Sequence, residues 1–308
     1  MSDSMSPITG LRYLGLAIDK FDATVDFYTR LWGLAIVAQE DGLAYLGSPI
    51  GSEQFSLRLR RSAQNRVDLL AMSVKSRADV DALAGRLAKA SIQIDRSPQA
   101  LTTPGGGYGF RFFDCDGRVI EVSADVASNE PRAALPHEAI PRKLSHVVFN
   151  SADIDKTTRF YAEHLGFRVS DWLENIMCFL RCGPQHHILA ITRATRAALN
   201  HVAWEMDDID GYMRATGRLN RGGYKTIWGP GRHGAGDNTF SYILDPSGNI
   251  AEFTAEMETV NEADWVVRRF GLTPEAQDQW GTGGSPTDSM IPTMLSAVDV
   301  GLWTAPPV

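Results

Sequence analysis

The chain repeats itself once, and that repeat constrains the fold more than any other feature of its 308 residues. Residues 11–34 read LRYLGLAIDKFDATVDFYTRLWGL and residues 144–167 read LSHVVFNSADIDKTTRFYAEHLGF. Both run as an apolar strand, an Asp-containing turn, a helix carrying Phe-Tyr, and a Gly stop. Phe27-Tyr28 matches Phe160-Tyr161 at an offset of 133, and Gly85-Arg86-Leu87 matches Gly217-Arg218-Leu219 at 132. The turn of FFDCDGRVIEVS matches that of YILDPSGNIAEFT, with Gly117 on Gly248 at 131. Nearly constant spacing over more than 100 residues means two homologous domains.

Within each domain the order is strand, helix, several strands, and then the same again, the last such unit starting near Leu199. This predicts an α+β fold of strongly curved sheet. The expected organisation is an N-terminal domain over 1–130, a linker over 131–143 marked by Pro131, Pro136 and Pro141, a second domain over 144–258, and a tail over 259–308. The tail combines WGTGGSPTDS with the apolar MIPTMLSAVDVGLW, which suggests docking over a site or against a subunit neighbour.

A net charge of −7 provides no basic stripe for nucleic acid. The opening MSDSMSPITG lacks a basic region followed by an apolar run, and no stretch is long and apolar enough to predict a membrane span. Cys115, Cys178 and Cys182 suit no disulfide framework and read as packing residues. The expectation is a cytoplasmic protein whose partners are small molecules and copies of itself.

Comparing the two copies isolates the chemistry. His146 stands where the first domain has Tyr13, His201 where it has Leu69, and Glu252 where it has Glu121. Glu252 lies among Ile250, Ala251 and Phe253, a costly place for a carboxylate unless it is paired or bound to a cation. Two imidazoles and one carboxylate, with positions left open, are the ligand set of non-haem Fe(II) oxygenases. A strand histidine can instead be a satisfied structural residue, and a strand Glu can face solvent. His137 and His164 read as surface residues.

The motifs LSHVVF, GPQHHILAI, LNHVAWE and GPGRHGAGDNTFSYILDPSGNIAEF, in this order, resemble those of type I extradiol ring-cleavage dioxygenases of the vicinal oxygen chelate superfamily. The resemblance covers about residues 9–258 and implies two domains of paired βαβββ modules. It maps the metal ligands to His146, His201 and Glu252, with Fe(II) as the ion, Mn(II) as the other candidate and O2 as co-substrate. It maps the acid-base histidine to His187; strand alternation is expected to point His186 to the opposite face. His233 and Tyr242 map to groups that hold substrate, and the apolar Val148 and Trp228 are expected to contact it as well.

Relatives that take catechols with an acidic arm carry Arg where this chain has Trp228, and an Arg pair where it has Ala276 and Gln277. An acidic residue found in biphenyl-type members is Gly236 here. A neutral or alkyl-bearing catechol is therefore expected. The rival readings are a glyoxalase-like isomerase or transferase, and a protein that only binds an aromatic ligand.

Overall fold

The computed structural model describes residues 6–286. The N-terminal domain opens with β1 (Ile8–Ile18) and α1 (Phe21–Asp26), which runs on as a π-helical stretch over Phe27–Trp32, followed by β2 (Ala35–Glu40), β3 (Leu43–Gly47) and β4 (Leu57–Arg61). Its second module is β5 (Arg66–Val74), α2 (Arg77–Lys89), β6 (Ile94–Ala100), β7 (Tyr108–Phe113) and β8 (Val119–Ala124). The C-terminal domain repeats this as β9 (Lys143–Ser151), α3 (Ile154–Leu165), β10 (Arg168–Leu173), β11 (Met177–Arg181) and β12 (Leu189–Arg193). Then come β13 (Ala198–Glu205), α4 (Ile209–Arg221), β14 (Thr226–Arg232), β15 (Thr239–Leu244) and β16 (Ile250–Thr254). Past the repeat lie β17 (Arg268–Phe270) and α5 (Pro274–Gln277).

Each domain is one sheet, ordered β2-β3-β4-β1-β5-β8-β7-β6 and β14-β15-β16-β13-β9-β12-β11-β10-β17. In every module the first strand pairs in parallel with the last, and the two modules of a domain join through their antiparallel first strands. The ladder registers match between domains: Tyr13 faces Ala71 as His146 faces Ala203, and Ala71 faces Glu121 as Ala203 faces Glu252. The residue equivalences drawn from the sequence repeat are thus structural equivalences.

Short polar caps start the helices. Ser76, Asp153 and Asp208 each accept from a backbone N–H three residues on. Gly33 and Gly166 end their helices with φ of 102° and 73°, a conformation that favours glycine. The helix predicted over the first repeat is not α throughout. Its Phe27–Trp32 half is π, which leaves Phe27, Tyr28 and Trp32 all buried.

Strand alternation sorts side chains between two faces. On β9, Val147 and Phe149 join a contiguous apolar core that includes α2, α3 and α4 and both domains. At the domain contact Trp32 stacks on Phe253 with ring centroids 3.8 Å apart. The repeated Phe-Tyr has a reciprocal purpose there. The Tyr28 hydroxyl donates to Asp245 in the DPSG turn at 3.3 Å, and the Tyr161 hydroxyl donates to Asp114 in the DCDG turn at 3.0 Å. His146 and Val148 fall on the other face of β9, away from that core.

Candidate metal centre and its cavity

His146 on β9, His201 on β13 and Glu252 on β16 come from three adjacent strands, and their ligand atoms all lie within 4.8 Å of one another. All three are buried, Glu252 completely. Glu252 Oε2 lies 3.1 Å from His146 Nε2 and 3.2 Å from His201 Nε2, while its Oε1 has no hydrogen-bond partner. Burial raises the Glu252 pKa, but the facing His146 outweighs it and the carboxyl lies at about 2.

The partner of His201 sharpens the point. His201 Nδ1 lies 2.7 Å from Asn200 Oδ1, and Asn200 Nδ2 donates to Asn150 Oδ1 at 2.9 Å. The Asn200 oxygen makes His201 Nδ1 the donor, so Nε2 turns a lone pair toward Glu252. Burial also pushes the His201 pKa down. A neutral imidazole lone pair facing a carboxylate oxygen, beside a second carboxylate oxygen with no partner, is an arrangement that a cation resolves. The residues fit a divalent metal with His146, His201 and Glu252 as ligands. A second group, Asp171, His186 and Glu258, also clusters. There the Arg268 guanidinium bonds both carboxylates, at 2.7 and 2.6 Å, and already supplies the positive charge.

A cavity of about 220 Å³ opens beside the three residues, and His187, His233, Tyr242, Trp228 and Val148 all line it. The three candidate ligands and the five candidate substrate contacts are therefore together at this site. His233 Nδ1 donates to the Gln277 carbonyl at 3.0 Å, which leaves Nε2 to accept from the Tyr242 hydroxyl at 3.1 Å. Burial pushes His233 down to about 4. Burial, then the nearby Glu252 charge, keeps the Tyr242 phenol protonated well beyond its ordinary range. His187 is pushed down by burial and by the surrounding imidazoles. Its ring lies 4.5 Å from that of His146.

One expectation fails in its reasoning. His186 and His187 do not alternate across a strand, because they lie in the bend before β12 starts at Leu189. Both are buried, and their Nδ1 atoms are 2.9 Å apart. Gly236, with φ of 86°, passes directly over this pair; a Cβ there would sit 3.1 Å from His186 Nδ1 and from His187 Cε1. A side chain at that position would be strained at this φ and would need the two imidazoles to shift by a few tenths of an ångström. The half-buried His164 packs edge-on against Phe160 rather than standing free, whereas His137 is exposed.

The segment after residue 258 was expected to dock over a site or against a subunit neighbour, and its described part, to residue 286, lies against this cavity. Leu272, Ala276, Gln277 and Pro286 form one wall of the cavity, and the Trp228 indole donates to the Gly284 carbonyl at 2.7 Å. Asp278 ties this wall down by accepting from the backbone of Arg232, Gly283 and Gly284. The remainder of the expected covering segment, 287–308, lies outside the described residues. No described helix is long and apolar enough to cross a membrane.

Comparison with known proteins agrees with this architecture. The Mn(II)-bound glyoxalase from Novosphingobium aromaticivorans superposes with a TM-score of 0.90 and 40% identity, over 97% of this chain and 98% of that one. Biphenyl-2,3-diol 1,2-dioxygenase of Paraburkholderia xenovorans (strain LB400) is 27% identical over 293 residues, covering 89% of this chain and 95% of its own length. Metapyrocatechase 2 of Cupriavidus necator is 29% identical over 194 residues, 56% of this chain and 60% of that protein. A family model matches residues 10–122 and 143–253, and the chain belongs to the Glyoxalase/Bleomycin resistance protein/Dioxygenase superfamily.

Proposed function

We propose that this protein is an extradiol dioxygenase that opens the ring of a neutral catechol with O2, using Fe(II) or Mn(II) held by His146, His201 and Glu252. The observation that carries the reading is the buried Glu252 carboxylate, with one oxygen unpartnered, beside a cavity that also holds His187, His233 and Tyr242. A divalent ion bound there supplies acidity to the catechol hydroxyls and the electron path to O2.

The chain's own groups do the rest. His187 is neutral and lines the cavity, so it can take a hydroxyl proton from the catechol and later return it. The His233–Tyr242 pair presents a fixed phenol to a substrate oxygen and positions the ring. Leu173, Met177, Phe179 and Leu272 exclude water and offer an apolar bed to a ring substituent. No Lys or Arg lines the cavity among the described residues, so a carboxylate arm finds no guanidinium there.

A second reading has one specific support, the 40% identity to a protein named as a glyoxalase. Isomerisation of a glutathione hemithioacetal would bring two carboxylates to this cavity, whose described lining has no cationic side chain to meet them. The test is to load the protein anaerobically with Fe(II) or Mn(II) and compare catechol, 3-methylcatechol, 2,3-dihydroxybiphenyl and 3,4-dihydroxyphenylacetate on admission of air. Yellow ring-opened product from the neutral diols, in preference to the acid, is expected. Hemithioacetal isomerisation with no diol cleavage would replace this reading with the second.

A further inference from the structure

Behind His187, on the side away from the cavity, lies a chain of buried polar groups that metal binding and substrate contact do not use. His186 Nδ1 is 2.9 Å from His187 Nδ1, and His186 Nε2 is 2.8 Å from Asp171 Oδ2. Asp171 and His186 are both fully buried. Asp171 also accepts from Arg268 three times, through the backbone N–H at 2.6 Å, Nε at 2.9 Å and Nη2 at 2.7 Å. Arg268 is braced in turn by Glu258 and lies over the Trp265 ring. The His186 backbone N–H donates to the Glu258 carbonyl at 2.8 Å, so ring and backbone are both held.

Proton bookkeeping along this chain has one solution for neutral rings. Burial opposes ionisation of Asp171, but the hydrogen bonds from His186 and Arg268 keep its carboxyl below the usual range. An ionised carboxylate only accepts, so His186 Nε2 carries the proton. Neutral His186 then offers Nδ1 as an acceptor. Among the described residues its hydrogen-bond partner is His187 Nδ1, which must therefore be the donor. The nitrogen of His187 left for the cavity, Nε2, bears a lone pair.

We infer that Asp171 and His186 are positioning residues, which fix His187 in its Nδ1–H tautomer and hold a bare Nε2 ready to accept a proton from a cavity ligand. Asp171 sits on β10, beside the short strand β17 contributed by the segment after the repeat, in register Asp171 to Arg268. That segment thereby reaches the acid-base histidine through one carboxylate and one imidazole. The use of the tautomer in catalysis rests on the dioxygenase reading; the tautomer itself does not.

The test uses the full chain, metal-free and labelled with ¹⁵N-histidine. Long-range ¹H–¹⁵N spectra at pH 7.5, assigned by loss of peaks in variants, should show His187 protonated at Nδ1 and His186 at Nε2. His186→Gln keeps an acceptor oxygen toward His187 and should preserve the Nδ1–H pattern, whereas His186→Phe removes it and should shift His187 toward Nε2–H. In metal-loaded protein, His186→Phe should lose roughly 10²-fold in kcat or more with little change in KM, the scale of a lost acid-base group, and His186→Gln should recover most of it. A wild-type His187 protonated at Nε2, a doubly protonated His186, or an unchanged His187 pattern in His186→Phe would each overturn the inference. Tautomers as expected in a protein that cleaves no diol would leave it standing and remove the dioxygenase reading instead.

Discussion

Arg111 donates to Glu121 through Nε at 2.8 Å, and the two face each other across β7 and β8 as Tyr242 faces Glu252 across β15 and β16. Tyr13, the equivalent of His146, donates its hydroxyl to the other Glu121 oxygen at 3.0 Å. One fold thus holds the same buried carboxylate twice and neutralises it in two ways. The N-terminal domain uses a guanidinium of its own, and the C-terminal domain leaves a place for a cation from solution. Arg111→Met strands Glu121 as an uncompensated buried charge and should cost about 3–5 kcal/mol in denaturant unfolding. Adding Glu121→Gln to that variant should recover much of the loss.

In the C-terminal domain the equivalent change acts on metal rather than on folding. Glu252→Gln should lower bound Fe or Mn from about one per chain to under about a tenth, measured by elemental analysis after dialysis. Asn200→Ala frees the His201 ring to turn or change tautomer. It should weaken metal binding by about 10–100-fold while leaving the fold intact by circular dichroism.

Stability of the metal-free protein should depend on pH with a definite sign. His233 is lowered from 6.5 to about 4 by burial, and His187 and His201 are lowered in the same direction. Between those two values the unfolded chain binds the proton and the folded chain does not, so stability falls as pH falls through that window. His233 alone accounts for about 3 kcal/mol of the change. Glu252 adds in the same sense only below 4.5, toward its value of about 2. Chemical unfolding of chelator-treated protein at several pH values measures the slope, which His233→Gln should reduce.

Substrate choice should follow charge on the wall formed by the segment after the repeat. Ala276 lines the cavity and carries no charge. Ala276→Arg should shift the ratio of kcat/KM for 3,4-dihydroxyphenylacetate over 3-methylcatechol upward by about tenfold or more, as expected for a charge-assisted contact of about 1.5 kcal/mol or better. An unchanged ratio would mean that the substituent points elsewhere.

Much of this architecture was legible because the chain carries its own comparison. Tyr13 against His146 and Leu69 against His201 mark the residues that changed while the strands stayed in register, and the ladders reproduce those pairings. What escaped the sequence depends on contacts between distant segments. Arg111 as a substitute cation is invisible until β7 is placed beside β8. The His186–His187 pair lies outside the alternation rule because β12 begins only at Leu189, so strand periodicity is not what turns His187 rather than His186 to the cavity. β17, three residues long, is held on β10 through Arg268 and Asp171, which are 97 positions apart. No local pattern announces such a strand.

The central claim is best tested by oxygen stoichiometry. Protein loaded anaerobically with Fe(II), mixed with 2,3-dihydroxybiphenyl and exposed to air, should consume one O2 per diol and form a yellow ring-opened acid. The same protein carrying Glu252→Gln should do neither. A metal-replete protein that consumes no O2 with this or any neutral catechol, yet isomerises a hemithioacetal, would contradict the account.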